Sequence, residues 1–142
     1  MSDTDLFKLY SQRILALAAD MPLTEPLAAP SHSATKRAPL CGSTVSVALT
    51  FDGEKITGYS QQVHACALGQ ASAAIFGAAV IGRTPAEIAA LCDTLAAMLK
   101  GGPVPAAPFA EYEVLTAARD YPNRHASILL APEATRAALG GN

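Results

Sequence analysis

Two cysteines stand where this chain could do chemistry: Cys41 in Leu40-Cys41-Gly42-Ser43, and Cys66 in His64-Ala65-Cys66-Ala67-Leu68-Gly69-Gln70-Ala71-Ser72. A thiolate attacks sulfur or binds a metal ion, and either task needs it ionised and reachable. Cys66 follows a strand-like stretch and opens a small-residue helix. Unpaired N–H groups and the positive end of a helix dipole favour a thiolate there. Taken alone, a free Cys is equally at home as a small buried hydrophobe. Cys41 precedes Gly42, whose missing side chain lets a ligand or a second chain approach closely; its plain alternative is a packed cysteine at a strand edge. Cys92 differs from both. It falls on the apolar stripe of Ile88, Leu91, Leu95, Met98 and Leu99, so core packing is expected there.

His64 lies two residues before Cys66. In a strand that spacing puts both side chains on one face, where imidazole and thiolate can share an ion. His125, near the start of the last helical region and close to Ser127, is a second candidate ligand. For each the alternative is an ordinary surface histidine. His32 carries no assignment. A closed zinc site is almost always four-coordinate, so two thiols need further donors.

The elements between the cysteines must bring them together. From Thr44 to Val63 the pattern alternates, with Val45, Val47 and Leu49 on one side. Asp52-Gly53 signals a hairpin turn, with Ile56 to Val63 as the return strand. A hairpin returns its two ends to one edge of a sheet, so Cys41 and Cys66 converge. Before it, residues 4–19 have the spacing of an amphipathic helix capped by Thr4 or Asp3. Pro22, Pro26 and Pro30 forbid regular helix through residue 30. Residues 31–40 can hold a short edge strand, with Ser31-His32-Ser33-Ala34 as the expected mobile loop.

After Cys66 the chain reads as helices. Ala67–Ile81 has helical spacing and small residues. Thr84-Pro85-Ala86-Glu87 is a capping box with Pro at the first helical position, and Gly101-Gly102-Pro103 stops the helix it starts. Further helical stretches are predicted at 109–118 and about 122–139, with Pro132 expected to break or kink the last. The sum is an α+β domain: one helix, a small antiparallel sheet, then a run of helices.

Bulk properties exclude several classes. The 142 residues fit one domain, 1–142. Ala supplies much of the apolar fraction and Trp none, so helices pack closely and bury little area per residue. A net charge of −2 argues against nucleic acid, which wants a basic face. Three cysteines make no disulfide framework and point to a reducing compartment. The acidic N-terminus lacks the basic region of an export signal. The most apolar run, Ala67–Ile81, is interrupted by Gln70 and Ser72 and is too short to span a bilayer comfortably. A soluble, cytoplasmic protein is expected.

With these stretches assembled, the chain resembles the U-type iron–sulfur cluster scaffold family of IscU, SufU and NifU-like proteins. The matching segments are Ala38-Pro39-Leu40-Cys41-Gly42-Ser43, Ala65-Cys66-Ala67-Leu68-Gly69-Gln70-Ala71-Ser72, and Tyr121-Pro122-Asn123-Arg124-His125-Ala126-Ser127-Ile128-Leu129-Leu130. The likeness runs from the first helix to Leu139, and the long span after Cys66 is more like the SufU branch. It implies a SufE/IscU-like fold: an N-terminal helix, a three-stranded antiparallel sheet, and several helices packed on one face. It also implies a scaffold or carrier rather than an enzyme. Such a protein accepts sulfur from a cysteine desulfurase, holds iron or a cluster, and passes it to recipient apo-proteins.

In that family three cysteines and an Asp hold the cluster or zinc. Carried over residue by residue, Cys41 and Cys66 match two of the cysteines and are the sulfur-acceptor candidates. The Asp position is Ser43 and the third cysteine position is Ser127. The His that precedes it in some members is Ala126 here, with His125 one step earlier. A neutral hydroxyl is a poor ligand for zinc or iron beside a thiolate. The implied cofactor is a transient iron–sulfur cluster or Zn²⁺ on Cys41 and Cys66, with His64, His125, Ser43 or Ser127 completing the set. A cluster bridging a homodimer would supply four thiolates. The alternatives are a zinc-binding or metal-free accessory of a desulfurase, and a structural interaction domain with its cysteines in the core.

Overall fold

The computed structural model describes residues 11–140. Its frame is the hairpin. Strands β2 (Thr44–Phe51) and β3 (Ile56–His64) pair antiparallel from Phe51↔Ile56 to Thr44↔His64. Asp52 builds the turn: its carboxylate accepts hydrogen bonds from the N–H groups of Glu54 (2.8 Å) and Lys55 (2.7 Å). Gly53 takes φ +96°, which only glycine adopts without strain.

Strand β1 (His32–Arg37) adds to the other side of β2, giving a three-stranded antiparallel sheet in the order β1-β2-β3. The Ser31-His32-Ser33-Ala34 tract, expected as a mobile loop, therefore leads into an edge strand. The Ser31 N–H donates to the Leu49 carbonyl (2.9 Å), and Ser31 Oγ accepts from the Phe51 N–H (3.2 Å). An edge strand that is wet on most positions needs no apolar alternation, which is why its sequence looks like a loop.

Val45, Val47 and Leu49 bury one face of β2, as their alternation predicts. Against the sheet and one another pack α1 (Gln12–Ala19), α2 (Ala67–Ala79), α3 (Pro85–Leu99) and α4 (His125–Ala138). Helix α4 crosses β1 and β2, while α2 lies between α1 and α4. Ser11 is extended (φ −57°, ψ 159°) and accepts from the Ile14 N–H, so this helix starts at Gln12; the part of the expected helix before Ser11 lies outside the described residues. The expected caps Asp3 and Thr4 lie outside the described residues. Helix α3 carries the full capping box, with reciprocal 3.2 Å bonds between Thr84 and Glu87. It buries Ile88, Leu91, Cys92, Leu95, Met98 and Leu99.

Two helical expectations change in kind. Ala110–Ala118 is a 3₁₀ helix, and a short 3₁₀ turn (Pro122–Arg124) precedes α4. Tyr112, Leu115 and Ala118 are all buried; their spacing of three fits the 3₁₀ repeat. Pro132 sits inside α4 without ending it. Proline has no N–H to give the carbonyl four residues back. That carbonyl, Ile128, instead accepts from Ser72 Oγ on α2 (2.5 Å), and Tyr112 Oη donates to the Ser72 carbonyl (3.0 Å). Among the described residues no helix is long and apolar enough to cross a membrane.

Candidate functional site

Cys41 rides on a tight loop between β1 and β2. The Ala38 N–H donates to the Ser43 carbonyl (2.8 Å) and the Gly42 N–H to the Ala38 carbonyl (2.9 Å). Gly42 takes φ +74°, the left-handed conformation this closure requires. The loop projects Leu40, 90 % exposed, and leaves Cys41 exposed beside it. Cys66 comes from the other end of the hairpin: β3 ends at His64, and Cys66 is the N-cap of α2. The pairing of Thr44 with His64 sets Ser43 and the Cys66 turn at the same end of the sheet.

The fourth position is supplied by α4. A Cβ at Gly69 would collide with Ser127 Oγ and stand 2.8 Å from Ala65 Cβ. The absent side chain is what lets α4 bring Ser127 against the start of α2. The result is a continuous relay. Cys41 Sγ donates to Ser43 Oγ (3.1 Å), Ser127 Oγ donates to Ser43 Oγ (3.2 Å), and Ser127 Oγ meets Cys66 Sγ (3.5 Å). Both serines are buried, 4 % and 1 % exposed, whereas Cys66 is half-buried. The hydroxyl and the amide N–H of Ser43 hold the Cys41 thiol below its ordinary pKa, since each can donate to the thiolate. Burial pushes the Cys92 thiol up to about 12, and at 1 % exposure it belongs to the core, as its helical position predicts.

The histidines do not join this cluster. Cys66 has left the strand, so the same-face spacing with His64 does not apply. His64 is exposed and lines a groove with Met21, Gln62 and Gln70 that neither thiol lines. His125 Nε2 lies 2.8 Å from the Ala118 carbonyl, which can only accept, so Nε2 carries a proton. Among the described residues no three His, Cys, Asp or Glu side chains gather as a metal-binding group. The donor set at the thiols is two sulfurs and two neutral hydroxyls. Reasoning from the residues alone missed Gly69 and Ser72, which seat α4; the small-residue run after Cys66 was their signal.

No protein-family model matches the chain. It is 31% identical over 102 residues to the iron–sulfur cluster assembly scaffold protein IscU of Streptococcus pyogenes serotype M1, covering 71% of this chain and 64% of that protein. The match thus spans just under two thirds of that relative's length. The crystal structure of the N-terminal part of a nitrogen-fixing NifU-like protein from Brucella abortus superposes with a TM-score of 0.92 at 39% identity, covering 96% of this chain and 95% of that one. SufU from the thermophile Fervidobacterium islandicum AW-1 shares the fold, with a TM-score of 0.82 at 23% identity over 94% of this chain and 98% of that chain. The three-stranded antiparallel sheet with helices packed against it is the fold these proteins share. The chain belongs to the IscU/NifU-like iron–sulfur cluster assembly scaffold family.

Proposed function

We propose that the chain, acting as one domain, is a cytoplasmic carrier that takes sulfur from a cysteine desulfurase and holds iron or a nascent cluster on Cys41 and Cys66. The observation that carries this reading is the convergence of Cys41, Ser43, Cys66 and Ser127 in one hydrogen-bonded relay. Iron and sulfide are its cargo, and no bond chemistry beyond thiol exchange is asked of it. The exposed Cys41 is the group a donor's persulfide can reach, and its stabilised thiolate is the nucleophile such a transfer needs. Hydroxyls do not replace thiolates as soft ligands, so one chain does not fit a closed zinc site. A bound cluster draws its remaining thiolates from a second copy or a recipient.

Anaerobic reconstitution with iron and sulfide tests the reading through iron, acid-labile sulfide and visible absorption per chain. Stoichiometric loading is expected in the native protein and in Cys92→Ala, and loss in Cys41→Ala and Cys66→Ala. A colourless protein without bound sulfide would reject cluster carriage and leave the accessory role on a desulfurase.

A further inference from the structure

The site holds two thiols where a persulfide chemistry would otherwise need an outside electron source. A sulfur atom received as a persulfide is at the sulfane level and must gain two electrons before it can serve as sulfide. We infer that Cys41 and Cys66 form an internal dithiol that supplies those electrons: Cys66 resolves a persulfide on Cys41 and releases sulfide at the site. The inference rests on the sulfur-acceptor reading above.

Three observations carry it. Cys41 is exposed on its loop, while Cys66 is half-buried at the start of α2, so the two differ in access from outside. A hydrogen-bonded path through two serine hydroxyls links the sulfurs. The third thiol of the chain, Cys92, is enclosed on the core face of α3 and cannot compete. Hydroxyls at Ser43 and Ser127 cannot themselves be oxidised to a disulfide. The thiol available to a sulfurated Cys41 within its own site is therefore that of Cys66.

The step balances without an added oxidant. The Cys66 thiol gives its proton to solvent, and the thiolate attacks Cys41 Sγ. A Cys41–Cys66 disulfide forms as the bond from Cys41 Sγ to the outer sulfur breaks. The outer sulfur leaves as HS⁻ with the bonding electron pair. It has been reduced by two electrons, and the two cysteine sulfurs have been oxidised to the disulfide. A disulfide brings the two sulfurs to about 2 Å, so the contacts of Ser43 and Ser127 with the thiols open as it forms. A low-molecular-weight thiol, itself oxidised to its disulfide, returns the pair to the dithiol that holds iron.

The reduced full-length protein is treated anaerobically with one equivalent of glutathione persulfide and freed of small molecules at once. Sulfide release, intact mass and a peptide map are then followed. In the native protein and in Cys92→Ala, sulfide is expected to appear as a Cys41–Cys66 cross-link forms and the mass settles two hydrogens below that of the untreated protein. Cys66→Ser should keep one added sulfur on Cys41 and lose sulfide release. A native protein that keeps the added sulfur, with neither sulfide nor cross-link, overturns the inference and leaves the acceptor reading standing. If neither protein takes up sulfur on Cys41, the acceptor reading fails and the inference with it.

Discussion

Ser43 is the hinge of the site's chemistry, because its Oγ accepts from both Cys41 Sγ and Ser127 Oγ while its amide faces the Cys41 sulfur. Donors aimed at an anion stabilise the charged form, so they lower the thiol's pKa. Removing one must raise it. In Ser43→Ala the pH midpoint for alkylation of Cys41, followed by peptide-resolved mass spectrometry, should therefore move upward, with slower labelling at neutral pH. The remaining amide N–H keeps part of the effect. An unchanged midpoint would mean that the hydroxyl does not face the thiolate. The convergence of the two thiols in this relay was legible from the hairpin between them. That Ser43 and Ser127 join them was legible only through family resemblance, since serine by itself carries no signal of a site. The histidines misled for a geometric reason: His64 counts as a strand neighbour of Cys66 only if the strand continues, and it ends at His64.

At the scale of elements, the site depends on how α2 and α4 meet. Pro132 would leave the Ile128 carbonyl without a partner inside α4, and Ser72 of α2 supplies one. A buried carbonyl left unmet costs about 1–3 kcal/mol. Ser72→Ala should lower unfolding stability by about that much in urea titrations. In a Pro132→Ala background the restored N–H can reach Ile128, so the same change should cost markedly less. Equal cost in both backgrounds would dismiss the compensation. Local signals made the hairpin turn, the capping box at Thr84 and the helix start at Cys66 readable, because each is fixed by residues next to one another. The fate of Pro132 was not readable, because its compensating hydroxyl lies sixty residues away in sequence. The 3₁₀ winding of Ala110–Ala118 was missed because a few apolar residues at spacings of three suit either helix.

For the molecule as a whole, the distribution of thiols is unequal: two lie at one end of the sheet, and Cys92 is sealed inside with its pKa raised to about 12 by burial. A buried, protonated thiol reacts only when its surroundings open. The folded protein should take up an alkylating reagent at two cysteines, and the third adduct should appear along the same denaturant curve as loss of helical circular dichroism. A third adduct forming in native buffer as fast as the first two would contradict the enclosed core. Two sulfurs are thus open to reagents from outside, while the third answers only to the integrity of the fold. The chain carries its own tamper seal: how many of its cysteines have been marked tells whether it was touched while folded or caught undone.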